Sequence, residues 1–205
     1  MLVIWGRNNS VNVQKVLWCC EEMTLKYKRI DAGAAFGVVN TPEYRNLNPN
    51  GLVPTIDDDG FVLWESNAIV RYLAAKHATG LWPDDLRIRA SADQWMDWQQ
   101  TTFWPAIRPL FLGLIRTAPD KRDPRALEES RLKTAEVLGT LNNYLNARAY
   151  VAGDVFTVGD IPLGCAIWRW MALPIERPGL PNVQRWFDSL TRRPAYKTIV
   201  MLPLS

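Results

Sequence analysis

One histidine and three cysteines in 205 residues leave little material for a metal site or a Cys–His nucleophile, since both need such side chains in clusters. Cys19, Cys20 and Cys165 form no disulfide framework. The adjacent pair bridges only with strain, which points to a reducing compartment. No apolar run approaches the roughly eighteen residues that a membrane span needs, and "MLVIWGRNNS" has no basic leader ahead of an apolar core. The expectation is a soluble, cytoplasmic protein with no membrane partner. Nor is there a cluster of basic residues. Residues 1–80 hold eight basic and eight acidic side chains and 81–205 hold sixteen and thirteen, so the net charge of +3 is diffuse and argues against nucleic acid as a partner.

What is present is ordinary globular sequence, 48% hydrophobic and 22% charged, with a change of texture near residue 80. "LVIW" at 2–5 is a short apolar run ended by Gly6 and suits a buried strand. Val13, Val16, Leu17, Cys20 and Met23 recur at helical spacing, which predicts a helix over about 11–24. "KYKRI" at 26–30 is a second strand. Leu52 to Ile56, a turn at Asp58-Asp59-Gly60, and Phe61 to Trp64 form a hairpin, and a helix follows over 66–76. This order describes a small α/β domain over 1–80. "ATGLWPDD" supplies linker signals, and 81–205 is helix-period sequence broken by prolines: an all-α domain. Pro105 and Pro109 kink or end the first long helical pattern. Thr157-Val158-Gly159-Asp160 has the spacing of a capping box, flanked by Phe156 and Ile161 at the spacing of a hydrophobic staple, so Asp160 reads as structural.

Three local features carry chemistry. Ser10 stands where it would N-cap the first helix, at a positive terminus that favours an anion and lowers the pKa of a thiol held there. A plain capping role is the alternative. Val53-Pro54 interrupts a strand. Proline there sits at an edge in the ordinary trans form, or in a special cis turn that exposes the Val53 backbone to an extended peptide. Glu65-Ser66 opens the next helix, with Ser66 as N-cap, and suits the zwitterionic end of an amino acid: the serine and nearby N–H groups for a carboxylate, the glutamate for an ammonium. The alternative is a capping serine after an acidic residue.

"SVNV" at the first helix, "NPNGLVPTI…ESNAIVRYLA" and "FTVGDIPLGCAIWRW" closely resemble the cytosolic glutathione S-transferase superfamily, in its bacterial, serine-type (theta/nu-like) form, across essentially the whole chain. The resemblance implies a thioredoxin-like domain with a mixed four-stranded sheet, then an all-helical domain. It implies glutathione as co-substrate, no metal, and a homodimer. It implies that Pro54 is cis, that Val53 binds the glutathione backbone, and that Glu65 and Ser66 hold the γ-glutamyl end. Ser10 matches the catalytic serine, with Asn9 and Asn12 as rivals or helpers, because an amide N–H also donates to sulfur. Tyrosine is excluded, since the first is Tyr27, and Cys19 and Cys20 lie about two to three turns into the helix, as buried structural thiols. One departure from the pattern is Leu52, where a Lys or Gln often stands; Asn40 and Arg45 are candidates for the glycyl carboxylate instead.

The electrophile site is expected between the domains, walled by Trp104, Ile107, Arg108, Phe111 and Leu112, although aromatic residues at helical spacing are also ordinary core. His77, at a helix end, reads as a surface or C-cap residue. The expected activity is glutathione transfer to an apolar electrophile, a detoxification chemistry. A glutathione-dependent disulfide or peroxide reductase and a non-catalytic binding module of the same fold are the rival readings.

Overall fold

The computed structural model describes residues 1–77 and 80–205. Strand β1 (Leu2–Trp5), helix α1 (Val11–Glu22) and strand β2 (Tyr27–Ile30) form a parallel unit, Val3 opposite Lys28. β3 (Thr55–Asp58) runs antiparallel to β1 with Ile4 opposite Ile56, and β4 (Phe61–Trp64) is antiparallel to β3. The order β2-β1-β3-β4 is the mixed four-stranded sheet expected. Ile4 and Ile56 are fully buried, as are Val13 and Val16 of α1 and Ile69, Val70 and Leu73 of α3 (Ser66–His77), which packs beside α1. Their periods, two in the strands and about 3.6 in the helices, put one apolar face of each element into a shared core.

The hairpin lies later than the sequence predicts. Leu52 and Val53 are outside the sheet, β3 starts at Thr55, and Asp58 pairs in the strand instead of turning. The cause is Pro54, which has no N–H for the ladder. The turn itself is Asp59-Gly60, both with positive φ (52° and 94°), the backbone twist that a two-residue hairpin needs. A short helix α2 (Pro42–Leu47) was not foreseen; Thr41 caps it through Tyr44 N, with proline in its first turn. The expected linker begins at Ala78 and Thr79, which lie outside the described residues.

Beyond the linker come α4 (Leu86–Trp98), α5 (Trp104–Ile115), α6 (Pro124–Tyr144), α7 (Asp160–Ala172), α8 (Pro181–Thr191) and an unforeseen α9 (Pro194–Ile199). Asp85 and Asp123 cap α4 and α6 by accepting two backbone N–H groups each. One π turn over 99–103 joins α4 to α5, so the proline effect begins ahead of Pro105, which is tolerated in the first turn. Pro109 stays inside α5 because α6 repairs the ladder. Ser130 Oγ accepts from Leu110 N (3.1 Å) and donates to Ala106 O (2.6 Å), bridging the groups that would otherwise have bonded each other.

Side chains of α1 join the two parts. Trp18 lies so close to α7 that a Cβ at Gly164 would come within 2.6 Å of its ring, which is why glycine is needed there. Glu22 takes a two-pronged ion pair from Arg193 (2.8 and 2.6 Å). Lys15 is fully buried, and its Nζ donates to Gln99 Oε1 (2.9 Å), Asn67 Oδ1 (3.3 Å) and Gln100 Oε1 (3.4 Å). With neutral acceptors only, burial lowers its pKa to about 8. Ahead of α7 half of the predicted capping box forms: Asp160 reaches back to Thr157 N, but the helix starts at Asp160 with Gly159 as its N-cap, and Thr157 bonds Gly159 N instead of Asp160 N. Asp160 Oδ2 accepts from Thr157 N (3.0 Å), Thr157 Oγ1 accepts from Gly159 N (3.3 Å), and Asp160 Oδ1 also accepts from Val151 N and Trp186 Nε1.

Candidate active site

The β1–α1 loop delivers Ser10 to the N-cap position of α1, in extended backbone (φ −79°, ψ 125°), yet its hydroxyl caps nothing. The backbone N–H groups of the first helical turn therefore keep their partial positive charge unopposed by a side-chain oxygen. Ser10 borders a cavity of about 290 Å³, together with Asn9, Asn12 and Val53. Asn9 is already occupied: its Nδ2 donates to Ser205 Oγ, and its backbone oxygen accepts from Arg169. Asn12 also lines the neighbouring cleft.

That cleft, about 40 Å³, is formed by Asn12, Val53, Pro54, Glu65 and Ser66 with Asn48 and Asn50. The Val53–Pro54 peptide is cis. A buried network holds the approach to it: Tyr44 Oη donates to Leu52 O (2.7 Å) and bonds Thr55 Oγ1 (2.8 Å), while Asn48 Nδ2 reaches the same two oxygens (3.0 and 3.1 Å). Val53 is thus positioned by its neighbours rather than by the ladder. Glu65 adopts φ 71°, the left-handed region, which costs a non-glycine residue about 1–2 kcal/mol. It holds the N-cap position, its carbonyl accepting from Ile69 N (2.9 Å). Ser66 is therefore the first helical residue and not the cap expected of it, so its N–H is one of the free donors of the helix terminus.

On the far side of the larger cavity, α5 presents Trp104, Arg108, Phe111 and Leu112, spaced along one helical face, with Arg116 at its C-terminal cap, and α7 adds Arg169. Ile107, expected as a wall, is fully buried and borders neither cavity; at helical spacing it points into the core instead. Asn40 and Arg45 also border neither, because Arg45 donates to Asn40 Oδ1 (3.2 Å) and Pro49 O (2.8 Å) and ties its own loop together. Leu52 does line both, with 64% of its surface exposed.

Burial holds the thiols of all three cysteines up: Cys20 and Cys165 to about 12, Cys19 well above the ordinary value. They are packing, as expected. His77 is exposed at the end of α3. Among the described residues, no cluster of three His, Cys, Asp or Glu side chains could hold a metal ion, and no helix is long and apolar enough to cross a membrane. A second cavity of similar size, about 300 Å³, lies between Trp170 and Gln184, where Arg177 is occupied by the carbonyls of Trp170 and Met171.

The glutathione S-transferase N-terminal domain model matches residues 9–76, and the C-terminal domain model of the same family matches 101–194. The chain belongs to the glutathione S-transferase family. Among curated relatives, glutathione S-transferase GstB of Escherichia coli is 43% identical over 208 residues, covering all of both chains. Glutathione S-transferase 3 of Zea mays is 32% identical over 99% of this chain and 95% of its own. Among solved structures, the theta class glutathione S-transferase of Xanthomonas axonopodis pv. citri with glutathione bound superposes with a TM-score of 0.96 at 48% identity, covering 100% of this chain and 99% of the other.

For a member of this family, sequence reasoning missed Asn48 and Asn50, which build the cleft, and three arginines of the cavity, Arg7, Arg116 and Arg169. "NPNG" carried a turn signal that places the asparagines. Nothing local brings Arg7, Arg116 and Arg169 to one cavity, because they lie on three separate segments.

Proposed function

We propose that this protein is a cytoplasmic glutathione transferase working as a homodimer, with residues 1–80 binding glutathione and 81–205 contributing the electrophile site. The reading is supported most by one observation: Ser10 stands at a helix N-terminus, its hydroxyl caps nothing, and the residue lines the cavity that Val53 also borders. Glutathione would lie extended along the cis turn, its cysteinyl backbone on Val53 and its γ-glutamyl end at Glu65 and the Ser66 N–H. Its sulfur then comes to Ser10. The hydroxyl donates a hydrogen bond to the thiolate, and the helix terminus adds its partial positive charge. Each stabilises S⁻ over SH, so the thiol ionises nearer neutral pH. Asn12 is the second donor. The thiolate attacks the electrophilic carbon, the S–C bond forms, and the leaving group departs with its electron pair; the protein supplies no covalent nucleophile. The family's place in detoxification is part of the same proposal.

The test is Ser10→Ala with glutathione and an aryl halide. A hydrogen bond to a charged group contributes about 1.5–3 kcal/mol, which corresponds to about one to two pKa units. The onset of conjugation should move up by that much, with at least about a tenfold loss near pH 7. If rate and onset both stay at wild-type values, the role passes to Asn12. Turnover of a small disulfide and not of the halide would replace the transferase reading with the reductase one.

A further inference from the structure

Four arginines, Arg7, Arg108, Arg116 and Arg169, line the cavity beside Ser10, and no Asp or Glu side chain does among the described residues. Elsewhere some arginines are balanced by acids, Arg71 by Asp93 and Asp97, Arg131 by Glu128 and Arg193 by Glu22, and others, such as Arg177, bond only carbonyls. Arg7, Arg108 and Arg169 form no ion pair among the described residues, whereas Arg116 meets the oxygen of Ser205, the last residue of the chain. Arg169 is the extreme case. It is 3% exposed, its Nη1 and Nη2 reach only the carbonyls of Cys165 (2.8 Å) and Asn9 (3.5 Å), and its Nε has no partner. Burial, with the charge of Arg116 adding, holds Arg169 at about 10 and Arg7 below the usual guanidinium range, yet both remain cations at neutral pH. Arg116 donates to the backbone oxygen of Ser205 (3.0 and 3.3 Å). A buried guanidinium with no counter-ion is expensive, and a ligand that brings the counter-ion removes that cost.

The placement says which ligand. The cleft for the γ-glutamyl end is built from the sheet side, by Val53, Glu65 and Ser66. Arg108 belongs to α5, Arg116 caps its C-terminal end and Arg169 belongs to α7, on the opposite wall, while Arg7 reaches the cavity from the β1–α1 loop. Between them stands Phe111, its ring centre 5.4 Å from the Arg116 guanidinium and 6.0 Å from that of Arg169, with Trp104 6.3 Å beyond. This is an apolar slot with a cationic end. Resting on the transferase reading above, we infer that the electrophile carries an anionic group, a carboxylate, sulfonate or phosphate, on an apolar or aromatic body, and that Arg7, Arg108 and Arg169 receive that group while Trp104 and Phe111 receive the body.

The probe pair is 4-chloro-3,5-dinitrobenzoate and its neutral methyl ester. In both the glutathione thiolate forms an S–C bond at the chlorinated ring carbon, chloride leaves with the C–Cl electron pair, and the thiol proton goes to solvent. Each kcat/KM is divided by the uncatalysed rate with glutathione, which removes the difference in intrinsic reactivity. The anion is expected to be favoured by at least about tenfold, the worth of one charge-assisted hydrogen bond. Arg108→Gln and Arg7→Gln should each bring that ratio down several-fold through the co-substrate's KM, leaving the KM for glutathione within about twofold. Both sit at the cavity edge, so neither depends on the fold surviving loss of buried Arg169. In wild type, 4-nitrobenzoate should inhibit competitively against the chloro-dinitrobenzoate and not against glutathione. Conjugation of the ester as fast as the anion, relative to the uncatalysed rates, overturns the inference and leaves the transferase standing. So does a variant that raises only the KM for glutathione, or one that moves only the pH onset, because the arginines would then serve the tripeptide or its thiolate. Failure to conjugate either compound overturns the transferase reading and this inference with it.

Discussion

Replacing Asp160 by alanine should bring the protein to the edge of unfolding. The carboxylate is fully buried and satisfies three firm donors, Val151 N (3.1 Å), Thr157 N (3.0 Å) and Trp186 Nε1 (2.9 Å), drawn from the α6–α7 loop and from α8. A buried donor left without a partner costs about 1–3 kcal/mol. Three of them amount to roughly 3–9 kcal/mol against a typical total stability of about 5–15 kcal/mol. Asp160→Asn keeps the shape and removes the titration, and so isolates the charge. Burial raises the Asp160 pKa from 3.8 to about 6, against the pull of its hydrogen bonds. A raised folded pKa means that the native state binds more protons than the unfolded chain between those values. The stability this group contributes is present below pH 3.8 and is lost as pH rises through 6, by about 3 kcal/mol. Urea unfolding followed by tryptophan fluorescence from pH 3.5 to 7.5 should show wild type minus Asp160→Asn falling by that amount. A flat difference would mean that the carboxyl titrates alike in both states. A rising one would mean that the donors outweigh burial.

Lys15→Met tests the opposite case. The folded pKa of about 8 lies below the ordinary 10.5, so the unfolded chain binds more protons between them, and wild type minus variant should rise by about 3 kcal/mol from pH 8 to 10.5 in urea melts; no rise refutes it. Tyr44→Phe removes the hydroxyl that bonds Leu52 O and Thr55 Oγ1 ahead of the cis turn. It should lower stability by about 1–2 kcal/mol and raise the KM for glutathione more than it lowers kcat, whereas an unchanged KM would detach the network from the site.

Much of the frame was legible because it rests on local chemistry. The apolar periods gave β1, α1, β4 and α3 to within a residue or two, and Asp-Gly gave the turn beside them. The bond from Asp160 back to Thr157 N read correctly because its partners are three residues apart, although the helix itself starts one residue after Gly159 and not after Thr157. Errors fell where a distant partner decides. Pro109 reads as a helix breaker until Ser130, on another helix, repairs the gap. Ser66 reads as a cap until the backbone of Glu65 takes the left-handed conformation and the cap position. Ile107 reads as a wall, yet the rotation of α5 turns it inward and turns Arg108 and Phe111 out.

The sequence by itself determined the class of fold, the position of Ser10 at a helix start and the structural role of Asp160, because each follows from neighbouring residues or from a period within one element. Only the tertiary structure decided that the Ser10 side chain makes no capping hydrogen bond, and that Arg7, Arg116 and Arg169, from segments far apart in the chain, join Arg108 around one cavity lined by no Asp or Glu among the described residues. Hydrophobic burial is non-directional and leaves a signature in composition and period. The meeting of four charges depends on how α5 and α7 pack across from the sheet, and no local pattern encodes that.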